Sequence, residues 1–104
     1  MEKTTDSQFF QNALKMIQDL LNQNLENLDD ESKEAVQHYL DHDEYEMAFE
    51  GLFIDLMSVN KVISNENLDS YVHLGKQLHL DQESIFDGNF WEIFIRFIES
   101  NKKK

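Results

Sequence analysis

The sequence predicts an all-α fold, a single compact bundle of five or six short helices, and three observations carry that prediction. Only three glycines and no proline occur in 104 residues, so the residues that punctuate β-rich folds are nearly absent. Leu, Glu, Gln and Lys are plentiful, and all of them accept a helix at little cost. Apolar side chains recur three and four apart along most of the chain, the period of a helix with one buried face. A chain of this length folds around one core. Eight Phe, three Tyr and one Trp within a 40% hydrophobic share supply much of that core, because aromatic side chains bury the most area per residue.

The first helix is expected over residues 7–25. Phe10, Leu14, Ile17 and Leu21 form its stripe, widened by Phe9, Ala13 and Leu20, and Asp6 or Ser7 caps its start. The polar stretch NQNLENLDDES follows. Asp29 or Asp30 then caps a second helix through Val36, Tyr39 and Leu40, with Glu31 and Glu34 near its positive end. DHDE breaks that helix and starts a third over residues 44–59. There Tyr45, Ala48, Phe49, Leu52, Leu56 and Val59 form one stripe, and Phe53, Ile54 and Met57 extend it around the cylinder. A helix apolar over so much of its circumference belongs at the centre of the bundle.

Ser64 is the expected cap of a fourth helix carrying Leu68, Tyr71, Val72 and Leu78. Asp81 caps a short further turn of helix that Gly88 ends. The last helix contains Phe90, Trp91, Phe94, Ile95 and Ile98, followed by a basic tail at 101–104 expected to fray. No repeat, linker or low-complexity boundary interrupts the chain, so residues 1–104 read as one domain.

Charge narrows the classes of function. Acidic residues outnumber basic ones 21 to 9, a formal net charge of −12. Such a surface repels phosphate backbones and anionic lipid heads and favours cationic partners. Direct binding to nucleic acid or membrane is not expected. Cysteine is absent, which removes disulfides and thiolate metal sites. Neither a secretory signal nor a run of roughly 18–20 apolar residues is evident, and a cytoplasmic location is the simplest expectation.

Catalytic and metal signals are weak. His38 and His42 stand four apart, a spacing that suits one metal ion, with Asp41 and Asp43 nearby. A metalloprotease helix needs Glu directly after its first His, and that position is Tyr39. His73 and His79 belong to no recognisable ligand motif. Glu46 and Glu50 have the spacing of ordinary helix neighbours, where two glutamates mainly repel each other. No nucleophile motif or phosphate-binding glycine loop occurs, so neither an enzyme nor a cofactor or metal is expected.

What remains is charge density. Residues 29–50 hold nine acidic side chains against the single Lys33, a local balance of −8. Two thirds of the net charge thus lies on about a fifth of the chain. If the second and third helices form a hairpin, these carboxylates share a rim whose field steers a cationic partner. Exposed ion pairs add little affinity, so an apolar anchor is also required. Tyr45, Phe53, Met57 and Trp91 are the candidates, although each also fits the core.

The stretch YLDHDEYEMAFEGLFIDLMSVNKVISNENLDSYVHLGKQLHLD resembles MafI-family immunity proteins, small partners of secreted polymorphic toxins related to those of contact-dependent growth inhibition systems. Tyr39, Glu44, Tyr45, Glu46, Ala48, Glu50 and Leu52 carry the first part of the resemblance, and Leu78, Leu80 and Asp81 the last. The resemblance spans 39–81. It implies a non-enzymatic protein that binds the C-terminal toxin domain of a matching effector one-to-one and occludes its active site. Such domains are often nucleases, frequently RNases, whose surfaces are basic because they hold phosphate backbones. Within the motif, Glu44 and Glu46 would favour the positive end of a helix, and Glu50 would form an internal hydrogen bond. The toxin-binding residues expected first are Asp41, Asp43, Glu46 and Glu50. The alternative is a small acidic helical adaptor or regulatory subunit binding a host protein, monomeric or dimeric when free.

Overall fold

In a computed structural model the chain is described over residues 2–59 and 68–102, with side chains described from Gln8 onward. Among the described residues five α-helices follow one another: α1 (Glu2–Gln23), α2 (Asp30–Asp41), α3 (Tyr45–Ser58), α4 (Leu68–Gln77) and α5 (Phe90–Lys102). A 3-10 turn, Leu25–Asn27, links α1 to α2, and no strand occurs among the described residues. The all-α expectation holds. No described helix is long and apolar enough to cross a membrane.

α1 begins at Glu2 rather than near residue 7, so Asp6 and Ser7 lie inside the helix and do not cap it. Its buried line runs through Ala13, Ile17, Leu20, Leu21 and Asn24, whereas Phe10 and Leu14 are exposed. α2 and α3 both pack against α1, and Ala13 is fully buried. Asn24 then ends α1: it is buried and its Nδ2 donates to the Leu20 carbonyl at 2.8 Å. Gln18 and Gln37 exchange hydrogen bonds of 2.8 and 3.0 Å and tie α1 to α2.

Asp29 caps α2, its carboxylate accepting from the Ser32 amide at 2.7 Å. That bond holds the Asp29 carboxyl below its ordinary pKa. Both α2 and α4 end in the same way. Beyond α2, the Asp43 amide donates to the Leu40 carbonyl and the Glu44 amide to the Tyr39 carbonyl; beyond α4, His79 donates to Lys76 and Leu80 to Gly75. These are Schellman closures, in which one residue adopts left-handed backbone to satisfy the last helix carbonyls. Asp43 (φ 60°) and His79 (φ 65°) take that position.

α3 is the central element, packed against α1, α2 and α5. Ala48, Phe49, Leu52, Phe53 and Leu56 are buried as expected, while Val59 is exposed. Around Phe94 the aromatic rings close into one cluster. Phe53 meets it edge-on at 4.8 Å, Phe49 at 5.5 Å, and Phe90 stacks at 5.4 Å. Edge and offset contacts of this kind stabilise beyond the area they bury. α4 reaches the cluster through Gly75, where an added Cβ would lie 2.7 Å from Trp91 Cζ3.

Two other expectations change, and one falls outside the described residues. Asp81 caps no helix, because residues 78–89 are turns, bends and irregular chain. The frayed tail does not begin at 101: Asn101 is buried, and Lys102 pairs with Asp69 at 2.6 Å, joining the end of α5 to the start of α4. The proposed Ser64 cap lies outside the described residues, as do Lys103 and Lys104.

Two stability predictions follow from these contacts. Gly75→Ala gains helix propensity but drives a methyl into a rigid indole, and is expected to lower unfolding free energy by about 1–3 kcal/mol. In a Trp91→Leu background most of that loss should vanish, as urea denaturation of the four-member cycle would reveal. His79→Gly removes a Cβ from left-handed backbone at an exposed site and is expected to raise stability by about 0.5–1 kcal/mol. Equal or lower stability by the same measurement would show that the His79 closure carries no strain.

Candidate functional site

The acidic turn between α2 and α3 is where the expected site residues meet, though not all of them share its surface. Asp41, at the end of α2, is exposed and accepts from Gln37 Nε2 at 3.0 Å. Asp43 occupies the left-handed position of the turn and is exposed. Its Oδ1 accepts from the Tyr45 hydroxyl at 3.0 Å. Burial of the ring, with the Asp43 bond and charge next to the hydroxyl, raises the Tyr45 pKa. Glu46 stands exposed in the first turn of α3, where the helix dipole favours a carboxylate.

Glu50 does not belong to this rim. It is 0% exposed, one turn beyond Glu46 on the same helix. Its Oε1 accepts from the Ile85 amide at 2.7 Å, and its Oε2 from the Phe86 and Asp87 amides at 2.8 and 3.0 Å. Both oxygens are engaged from inside the fold, so Glu50 is removed from the set of surface contacts. The internal hydrogen bond expected for this position is present, in triplicate. A buried carboxylate without a cation is tolerable when several N–H donors converge on it, and here three consecutive amides do so.

The consequence is a fixed loop beside the acidic turn. Residues 85–87 cannot satisfy their amides in a helix, and Glu50 supplies the acceptors. Phe86 lies over Gly51, where a Cβ would come within 3.7 Å of its ring, and its centroid is 6.1 Å from that of Tyr39. Even so, Ile85 and Phe86 remain 45% and 49% exposed. Asp87 then shapes the turn before α5, its carboxylate accepting from the Asn89 amide at 2.9 Å.

Asp43, Glu44, Glu46, Met47 and Ile85 line an open cleft of about 260 Å³ between turn and loop. On the other flank of the turn, Phe10 of α1 stacks on Tyr45 at 5.5 Å and is 45% exposed. The exposed carboxylates are therefore bordered by apolar side chains on both sides. Of the anchors named from sequence, Phe53 and Tyr45 are buried and Met57 and Trp91 half-buried. Ile85, Phe86 and Phe10 were missed as surface anchors. The signal lay in ESIFDG, two large apolar residues in a short acidic turn where no helix could bury them.

No family model, curated protein or solved structure matches the chain. The His38 and His42 rings lie 4.2 Å apart, and His42 Nδ1 hydrogen-bonds the His38 carbonyl at 2.8 Å. Among the described residues, no three His, Asp or Glu side chains are placed to hold a metal ion. Glu46 and Glu50 face different environments and share no cavity, since one is in solvent and the other is saturated by backbone donors.

Removing the Glu50 carboxylate should loosen this surface before the rest of the bundle. Glu50→Ala is expected to cost about 2–4 kcal/mol and Glu50→Gln about 1–3 kcal/mol, as charge-assisted bonds are lost or replaced by weaker ones. Hydrogen exchange gives the local readout. The Ile85, Phe86 and Asp87 amides should be protected in the parent and should exchange faster in Glu50→Gln; unprotected amides in the parent would contradict the three bonds.

Proposed function

We propose that this chain is a non-catalytic immunity protein that binds a cationic toxin domain, a nuclease and in the first instance an RNase, and blocks its active site in a one-to-one complex. The observation that carries the reading is the juxtaposition at the acidic turn. Exposed Asp43 and Glu46 line one cleft with Ile85, Asp41 stands exposed at the end of α2, and Glu50 holds the Ile85 and Phe86 amides in place. Charge of one sign accelerates encounter with a basic partner. Exposed apolar side chains on a pre-ordered loop then slow dissociation, because little conformational entropy is lost on docking. The resemblance over residues 39–81 supports the same class of partner, as does the net charge of −12.

Occlusion requires no reaction chemistry from the inhibitor. A basic nuclease cleft is built to hold successive phosphates, and a row of carboxylates on a rigid turn competes for the same cations. The inhibitor therefore needs correct placement of charge and a dry contact beside it.

The test is co-expression of this chain with the C-terminal domain of the protein encoded immediately upstream, scoring growth and RNA integrity. Rescue with intact RNA is expected, together with a one-to-one complex whose association slows as salt is raised. Asp43→Lys combined with Glu46→Lys should reduce the association rate by about tenfold or more, with unchanged helicity. Absence of a toxin at that position, or growth that is not rescued, would refute the immunity reading and favour an adaptor bound to a host protein.

A further inference from the structure

We propose that the cleft between the acidic turn and the 85–87 loop is a socket for an arginine side chain of the partner protein. The inference deepens the reading above by naming what the partner inserts. The cleft has two kinds of wall. Met47 and Ile85 contribute apolar lining, and Asp43, Glu44 and Glu46 contribute acidic lining. Its volume of about 260 Å³ and its open mouth admit one long side chain from outside.

An arginine matches that division of surface. Its methylene stem packs on apolar side chains while its charged end stays among acceptors. The guanidinium is planar, weakly hydrated and carries a fork of five donors, so it can engage carboxylates from two residues at once. Lysine offers a compact, strongly hydrated charge and gains less from a half-dry cleft.

Two features of the fold pre-arrange the socket. The Asp43 carboxylate is oriented through Oδ1 by the Tyr45 hydroxyl, on a turn closed by the Glu44 amide to the Tyr39 carbonyl at 2.8 Å. Ile85 is held on the opposite wall because Glu50 binds its amide at 2.7 Å. Glu50 is therefore a positioning residue for the apolar wall and does not itself meet the ligand.

The probe is N-acetyl-arginine amide, titrated at constant ionic strength into the isotope-labelled full chain and followed by NMR. N-acetyl-citrulline amide supplies the same shape without charge, and guanidinium chloride the charge without a stem. Saturable shifts are expected at the Asp43 and Glu46 carboxyl carbons and the Met47 and Ile85 methyls, with a dissociation constant in the millimolar range. Both control compounds should bind more weakly. Ile85→Ala, at an exposed position that leaves the core intact, and Glu46→Gln should each weaken the arginine probe by about three- to fivefold, while Glu31→Gln on α2 should not. Shifts that fail to saturate, that spread equally over Glu31 and Glu34, or that guanidinium alone reproduces would overturn the socket. The outcome is separable from the immunity test: protection of cells without arginine binding removes the socket, and arginine binding without protection removes the toxin.

Discussion

A single carboxylate, Glu50, holds three consecutive backbone amides of a segment 35 to 37 residues further along the chain. The arrangement resolves two problems with one contact. Residues 85–87 have neither helix nor sheet to satisfy their N–H groups, and a charge inside a small bundle needs several donors around it. Because the bonds run from the middle of α3 to the entry of α5, they also join the central helix to the last one. The apolar pair at the surface and the aromatic cluster beneath it then depend on the same placement of the loop.

The bundle supplies the rigidity that this contact needs. Phe94 gathers rings from α3 and α5 at edge and offset distances, and Gly75 brings α4 within contact of Trp91. The two Schellman closures stop α2 and α4 sharply, so the chain turns at Asp43 directly towards α3 and at His79 into the 78–89 segment that leads to α5. Those stops decide where charge appears. Asp43 sits exposed at the left-handed position of its turn, and the 78–89 segment is tied back to α3 through Glu50. A carboxylate rim beside exposed apolar residues is thus a product of helix endings rather than of helix faces.

Legibility in the sequence varied with the range of the interaction. α2, α3 and α5 were readable because Asp29 is a strong N-cap and the apolar residues of all three follow the helical period. α1 was only half readable. Phe10 and Leu14 fit the stripe as well as Ala13 does, and hydrophobicity alone favours the larger residues, yet it is Ala13 that is buried while Phe10 and Leu14 stay exposed. The 78–89 segment was misread, since Asp81 looks like a helix cap and nothing local announces that the amides of 85–87 are satisfied from α3. Glu50 shows the same ambiguity from the other side. By spacing it belongs with Glu46, and by position under the loop it belongs to the core.

By itself, the sequence determined the helical class, the single core rich in phenylalanine and the concentration of negative charge around residues 29–50. Those properties follow from propensity, periodicity and composition, which are local or additive along the chain. Tertiary structure alone decided which carboxylates face solvent and which apolar residues stay outside the core. Burial depends on what covers a residue, and the cover comes from distant parts of the chain: an α1 flank beside Tyr45, and a loop before α5 over Glu50. Asp43 and Glu46 therefore remain at the surface while Glu50, with the same chemistry and one helical turn away from Glu46, became the hold on which that surface is built.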